Sequence, residues 1–121
     1  MLSVRYLVTN VDEAVDFYTE HLGFALEQRP GPPFAIVARD GLKLWLSGPE
    51  SSAARRMPDG ARPEPGGWNR LAIEVDDIDA EATRLRNAGV RFRGDVVVGP
   101  GGSQIVLEDP SGNAVELFRP A

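Results

Sequence analysis

The sequence predicts an α+β fold built from two similar βαβββ modules. A strand, a helix and three further strands follow one another in that order twice along the 121 residues. The helix-capping residue Asn10 of the first set corresponds to Asp77 of the second, 67 positions later. Either set alone is too small to bury a sheet, as in proteins built from repeats. We therefore expect a single domain over residues 1–121, with module 1 at about 1–48, a linker at 49–67 and module 2 at about 68–121.

The first module begins with a strand and a helix. Alternating residues rich in β-formers predict the strand at Leu2–Val8. Asn10 can cap the helix, with Glu13 three residues later as in a capping box, and Gly23 ends it. Apolar side chains at helical spacing form one stripe: Val11, Val15, Tyr18 and Leu22.

Three strands and a long irregular segment complete the first half of the chain. The strands are predicted at Phe24–Gln28, Phe34–Ala38 and Leu42–Ser47. Pro30–Pro33 breaks the chain between the first two, and Asp40-Gly41 predicts a hairpin turn between the others. Residues 48–67 are rich in Pro, Gly and Ser and have no periodicity. We interpret them either as a plain linker or as a lid over a binding site.

The second module repeats this order. A strand at Trp68–Val75 precedes a helix that Asp77 caps and Gly89 ends, with Ile78, Ala82 and Leu85 on its apolar stripe. Further extended stretches are predicted at Val90–Arg93, Asp95–Val98, Gln104–Glu108 and Ala114–Phe118. Turns are predicted at Gly99–Gly102 and Asp109–Asn113.

Alternation along the strands separates an apolar face, which must carry the helices, from a mixed face. The mixed face holds Ser3, Arg5, Lys43, Trp45, Arg70, Glu74, Glu116 and Phe118. Antiparallel sheets often expose such a face to water. A ligand cavity also combines aromatic walls with a few polar anchors. The alternation fits both interpretations equally.

Three segments and the order of the elements resemble the vicinal oxygen chelate superfamily. The segments are NVDEAVDFYTEHLGF, LAIEVDDIDA and DPSGNAVELF. This superfamily includes glyoxalase I, extradiol dioxygenases, fosfomycin-resistance enzymes and bleomycin-binding proteins. The resemblance implies a U-shaped mixed sheet around a pocket, helices on the convex face and, commonly, a homodimer. It therefore favours the cavity interpretation.

The resemblance also implies where a metal would bind. The ligand positions of metal-dependent members fall on Ser3, Trp45, Arg70 and Glu116. Only Glu116 is a metal ligand by chemistry, and arginine does not bind a metal ion. The chain has no cysteine and one histidine, His21, at a helix end where positive charge is favourable. We expect no cofactor; a weak oxygen-rich site for a divalent metal from Ser3, Glu74 and Glu116 is the alternative.

An ion pair between Arg70 and Glu116 is the arrangement expected in place of the metal. Each charge is costly to bury alone, and both lie on the same predicted face. Arg5 would then bind an anionic or carbonyl oxygen of a ligand. A purely structural pair is the alternative. The predicted ligand-binding residues are Ser3, Arg5, Trp45, Arg70, Glu116 and Phe118, with Phe34 or Trp68 as further aromatic candidates and Glu116 as the candidate catalytic residue.

These features predict a metal-free small-molecule-binding protein related to the drug-binding members. The alternatives are a lyase, isomerase or dioxygenase with a rebuilt site, and an interaction module without a working pocket. A net charge of −5 argues against nucleic acid as the partner. No apolar run reaches the ~18–20 residues of a membrane span. The lack of cysteine fits a cytoplasmic location.

Overall fold

The computed structural model describes residues 2–121 and contains the two predicted βαβββ modules. The chain divides into two compact units whose boundary lies between Gly66 and Gly67. Within residues 2–121, each unit contains one four-stranded mixed sheet and one α-helix. The α+β class and the doubled βαβββ order predicted from the sequence are confirmed. None of the helices in this range has the length and apolar character that crossing a membrane requires.

The first unit has its sheet in the order β1-β4-β3-β2. Its elements are β1 (Ser3–Leu7), α1 (Val11–His21), β2 (Ala25–Gly31), β3 (Phe34–Arg39) and β4 (Leu42–Ser47). β1 runs parallel to β4, and the other neighbours are antiparallel. One 3₁₀ turn, Ser52–Ala54, lies in the segment interpreted above as a linker or lid.

Helix α1 begins and ends at the residues that the sequence predicts. The Glu13 backbone N–H donates a 2.9 Å hydrogen bond to Asn10 Oδ1, which makes Asn10 the N-cap. Gly23 follows the last turn with φ of 70°, a conformation that glycine adopts without strain. The buried side chains of α1 pack on β2, β3 and β4. They are Val11, Ala14, Val15, Phe17 and Tyr18.

The two turns around β3 differ in how well the sequence predicts them. Asp40 and Gly41 have φ of 51° and 82°, as a two-residue hairpin turn with both central residues at positive φ requires. The predicted break at Pro30–Pro33 is too early, because β2 continues to Gly31 through two register shifts. β2 is the outer strand of its sheet, where a residue without a backbone N–H is tolerated.

The second unit repeats this topology, with its sheet in the order β5-β8-β7-β6. Its elements are β5 (Leu71–Glu74), α2 (Ile78–Asn87), β6 (Val97–Gly99), β7 (Gly102–Glu108) and β8 (Ala114–Pro120). β5 runs parallel to β8, and the remaining neighbours are antiparallel. Asp77 caps α2 by accepting a 3.0 Å hydrogen bond from the Ala80 N–H, so the helix start is again where the sequence predicts it.

Two strand predictions in this unit are wrong in extent. β5 begins at Leu71 rather than Trp68, because its first paired residue lies opposite Val115, near the start of β8. The stretch predicted as extended at Val90–Arg93 makes one isolated bridge, from Phe92 to Leu107. The outer strand then leaves the ladder and pairs again only at β6.

The core of each unit lies between its helix and the apolar face of its sheet. Leu44 and Leu46 are fully buried in the first unit, and Leu107 and Leu117 are at most 1% exposed in the second. Truncating such a leucine to alanine costs about 2–5 kcal/mol. The opposite face of each sheet retains the half-buried Trp45, Glu116 and Phe118. This face carries the chemistry described next.

Candidate functional site

The first unit groups an arginine, a tryptophan and a serine on the mixed face of its sheet. Arg5 on β1 pairs with Trp45 on β4, and in this parallel pair their side chains share a face. The Arg5 guanidinium carbon lies 4.9 Å from the centre of the Trp45 ring. Arg5 Nη1 also donates a 3.1 Å hydrogen bond to Ser47 Oγ. We call Arg5, Trp45 and Ser47 the Arg5 group.

The Arg5 group keeps an unneutralised positive charge. Among residues 2–121, no carboxylate lies within ion-pair distance of Arg5. Its partners are a neutral hydroxyl and the face of an aromatic ring, which attracts a cation through the ring quadrupole. The guanidinium therefore retains donors for an acceptor oxygen from outside the chain.

The indole N–H of Trp45 is buried without a hydrogen-bond partner in the part of the chain that the structure describes. Leaving such a donor unsatisfied costs about 1–3 kcal/mol. Phe34 packs edge-on against the same ring at 6.0 Å between centroids, so the indole is held from a second side. The Arg5 group thus combines an unpaired N–H, a free cation and an aromatic surface.

Ser3 lies on the same face as Arg5, two residues earlier on β1. Its pairing partner across the sheet is Lys43, whose ammonium forms a 2.9 Å ion pair with Glu27. Lys43 is therefore already neutralised. The small half-buried Ser3 side chain lies next to that pair, and its place in ligand binding stays a prediction.

The second unit contains the ion pair that the sequence predicts. Arg70 Nε and Nη2 both lie 2.9 Å from Glu116 Oε1, and the side chains are 25% and 12% exposed. Arg70 Nη1 donates a further 3.2 Å hydrogen bond to the Trp68 carbonyl. Pairing in this way satisfies both partly buried charges. Whether the pair binds a ligand or is structural stays a prediction.

One oxygen of Glu116 is not used by the pair. Both Arg70 nitrogens approach Oε1, and Oε2 has no hydrogen-bond partner among residues 2–121. Phe118 lies two residues further along β8 on the same face, with Glu74 and Gln104 as its neighbours on the adjacent strands. The second unit therefore offers a fixed acceptor oxygen near an aromatic ring.

The glyoxalase/bleomycin resistance protein/dioxygenase superfamily matches residues 1–117 of this sequence. The chain belongs to this superfamily. The antibiotic-binding protein TnmS3 from Streptomyces sp. CB03234 is 31% identical, with 98% of this chain and 93% of that chain covered and a TM-score of 0.73. No curated protein matches this sequence significantly.

Other members of the superfamily share the fold at lower identity. A superfamily protein from Sphaerobacter thermophilus DSM 20745 is 27% identical over 97% of this chain and 94% of its own, with a TM-score of 0.77. Lactoylglutathione lyase from Agrobacterium tumefaciens has a TM-score of 0.75 over 98% of this chain and 92% of its own, at 19% identity. At 19% identity, the similarity to lactoylglutathione lyase shows a shared fold.

The residues at the superfamily's metal positions do not fit a divalent cation here. Arg70 occupies one of these positions, and its charge lies against the carboxylate that would be the remaining ligand, Glu116. Within residues 2–121, no three His, Cys, Asp or Glu side chains are grouped as a metal site requires. His21 packs against Phe17 on α1, 5.6 Å between ring centres. The metal-free state of the protein stays a prediction.

Neither the contact of Ser47 with Arg5 nor the unsatisfied state of the Trp45 N–H was predicted from the sequence. Ser47 follows Trp45 by two residues on β4 and faces the same way, so alternation contains the signal. The burial of the Trp45 N–H depends on packing around the ring and has no counterpart in the residue pattern.

Proposed function

We propose that this superfamily member binds a small aromatic molecule carrying an anionic or carbonyl oxygen, without a metal ion. We further propose that it does so as a cytoplasmic homodimer, in the manner of the drug-binding members. The observation that carries the proposal is the Arg5 group. There, a cation without a carboxylate partner lies on an aromatic ring whose N–H is buried and unsatisfied.

The Arg5 group is arranged to recognise an acceptor beside a flat ring. A carboxylate or carbonyl oxygen would accept from Arg5, and hydrogen bonds to a charged group contribute about 1.5–3 kcal/mol. An aromatic ring would stack on Trp45 or Phe34, which already meet edge to face. Ser3 would line the same face.

In the second unit, the Arg70–Glu116 pair would supply an acceptor to a ligand bound on that sheet. Arg70 fixes Glu116 through Oε1 and leaves Oε2 for a hydroxyl or N–H of the ligand. Phe118 would add apolar surface near that oxygen. In this proposal Glu116 binds and does not transfer protons.

The similarity to TnmS3 supports the ligand class. That protein is described as antibiotic-binding, it is 31% identical to this chain, and the match covers nearly all of both chains. Binding of a bulky organic molecule needs a few polar anchors on apolar walls. The Arg5 group provides such anchors in the first unit, and the Glu116 carboxylate provides one in the second.

Isothermal titration with 2-naphthoate tests the proposal, since this probe joins a carboxylate to a flat ring. Arg5→Gln should weaken binding by about tenfold through the loss of a charge-assisted hydrogen bond. Trp45→Leu, which removes the aromatic surface on which the ring of the probe would stack, should weaken it about threefold to tenfold.

The matched control is Arg62→Gln, which removes an exposed arginine from the linker segment. This variant should bind 2-naphthoate like the wild type. If Arg5→Gln and Arg62→Gln bind equally well, Arg5 has no role in recognition and the proposal is wrong.

A further inference from the structure

From the geometry of the second unit, we infer that the mixed face of its sheet binds one uncharged aromatic ring that carries a hydrogen-bonding group. A cavity of about 170 Å³ opens there beside the outer strand. It is lined by Trp68, Arg93, Gly94, Asp95, Val97, Gln104, Ile105 and Val106. Gln104 and Val106 lie opposite Phe118 and Glu116 and share their face of the sheet, so the inference rests on the part of the proposed function that concerns this unit and not on the Arg5 group.

An irregularity in the outer strand creates the cavity. Four residues separate Phe92 from Val97, whereas two separate their partners Gln104 and Leu107 on β7. The two extra residues leave the ladder, as in a bulge. Gly94 lies in this stretch, and a Cβ built on it would meet no atom within 4 Å. The space beside the sheet is therefore a feature of the backbone, present before any side chain moves.

Arg93 and Trp68 form a rigid wall. Arg93 Nε donates to Glu108 Oε2 at 2.9 Å, Nη1 to the Gly67 carbonyl at 2.7 Å and Nη2 to the Gly112 carbonyl at 2.8 Å. The guanidinium lies 4.5 Å from the centre of the Trp68 ring. With all three nitrogens engaged, the plane of Arg93 is fixed. Trp68 remains 68% exposed and can contact a ligand.

The size and walls of the cavity fit one ring. An apolar cavity of about 150 Å³ holds a benzene molecule. Val97 and Val106 supply aliphatic surface, and Trp68 supplies an aromatic one. Val97 is 59% exposed, so an apolar ligand would remove unfavourable surface from water.

The polar groups of the lining select an uncharged ligand. The charge of Arg93 is neutralised by Glu108, and Asp95 pairs with Arg86 at 3.2 Å. The Gln104 side-chain amide has no hydrogen-bond partner among residues 2–121, so it retains a donor and an acceptor. A ring with an amide or hydroxyl substituent could pair with Gln104, whereas a carboxylate would find no free cation.

Benzamide and benzoate are suitable probes because they have nearly the same shape and differ in charge. Each is titrated into the full-length ¹⁵N-labelled protein, and the two indole N–H signals of Trp45 and Trp68 are followed by NMR. The Trp68→Phe variant assigns the two signals, because the signal that disappears in it is that of Trp68. We expect benzamide to shift the Trp68 signal with roughly millimolar affinity; any shift of the Trp45 signal reports the Arg5 group instead. Followed at the Trp68 signal, benzoate should bind at least about threefold more weakly.

Two variants test the lining. Gln104→Leu nearly keeps the size of the side chain. It should weaken the binding of benzamide about threefold to tenfold, because it removes the hydrogen bonds to the ligand. Gly94→Leu should abolish binding by filling the cavity. Gln28→Leu, on the exposed outer strand of the first unit, is the control and should bind like the wild type. Thermal melts confirm that the variants are folded.

Three results would overturn the inference. They are an unmoved Trp68 signal, benzoate binding more tightly than benzamide when both are followed at the Trp68 signal, and folded Gln104→Leu and Gly94→Leu variants whose Trp68 signal still responds to benzamide as in the wild type. Each of these is independent of 2-naphthoate binding at the Arg5 group, so either site can fail without the other.

Discussion

Arg5 and Arg70 lie on the mixed faces of the two sheets, but their charges are satisfied in different ways. Arg70 places two nitrogens on Glu116 Oε1, whereas Arg5 contacts a hydroxyl and an indole face. A paired guanidinium mainly positions its carboxylate, while one without a counter-ion attracts an anion from solution. Removing Arg70 should therefore reduce stability, and removing Arg5 should reduce ligand affinity.

Replacing Arg70 by Met should destabilise the protein by about 1–3 kcal/mol. Breaking a fully buried pair costs about 3–5 kcal/mol, and partial solvation of these side chains reduces that cost. The free energy of unfolding is measured by urea denaturation. The double variant Arg70→Met/Glu116→Leu should recover most of the loss, because no unpaired carboxylate then remains buried. Equal stability of Arg70→Met and the wild type would contradict this expectation.

The ion pair was predictable from the sequence because alternation places both residues on one face and burial demands a partner for each. The contacts of Arg93 were not predictable. They join Gly67, Glu108 and Gly112, which are far apart in the sequence and lie in turns or on another strand. Only the three-dimensional path of the chain brings these groups within reach of one side chain.

At the scale of elements, the tightest backbone approach lies in β7. Gly102 pairs with Pro120 and has φ of 148°. A Cβ on this residue would overlap the Arg119 carbonyl oxygen and lie 3.0 Å from Phe118 Cζ and Pro120 Cα. Glycine is therefore required here, because any side chain would push β7 away from β8.

Replacing Gly102 by Ala should cost at least about 2 kcal/mol, since both the backbone conformation and the close approach oppose a side chain. Gly101→Ala is the matched control, as a Cβ there meets nothing within 4 Å. That neighbouring change should alter stability by no more than about 0.5 kcal/mol. Thermal unfolding of both variants provides the measurement, and equal melting temperatures would show that β7 and β8 can separate freely.

The elements themselves were mostly predictable, and the differences have local causes. Helix caps and the Asp40-Gly41 turn depend on residues close in sequence, so their signals are strong. The extent of β2 and β5 depends on the partner strand, since β2 bends through Pro30 at an edge and β5 starts where β8 offers a partner. Where the end of a strand depends on its partner, it cannot be predicted from the residues of that strand alone.

At the scale of the whole molecule, each unit stacks one arginine on one tryptophan, although the two pairs do not occupy corresponding positions of the βαβββ repeat. Trp45 lies under Arg5 and Trp68 under Arg93. The repeated order was evident in the sequence, because a capping residue (Asn10, Asp77) and a helix-ending glycine (Gly23, Gly89) recur about 67 residues apart. The aromatic or anionic ligand predicted from the sequence stays a prediction, because ligand class depends on which polar atoms remain without partners after folding.

Native mass spectrometry of protein purified from its own host tests the proposed assembly and cofactor state together. We expect a mass of about twice 13.1 kDa, no retained metal and a small organic molecule released on activation. A monomer would contradict the proposed homodimer. Zinc, nickel, manganese or iron at about one per chain would replace the binding proposal with the enzymatic alternative.

The interruption of the outer strand has a consequence for solubility. Val96, Val97 and Val98 form an apolar run beside a sheet edge, and such runs can seed fibrils when they lie flat and in register. The two surplus residues keep this edge from presenting one unbroken ladder. Deleting Gly94 and Asp95 would match the lengths of the two strands, and it would exchange a small cavity for a surface on which identical chains could stack.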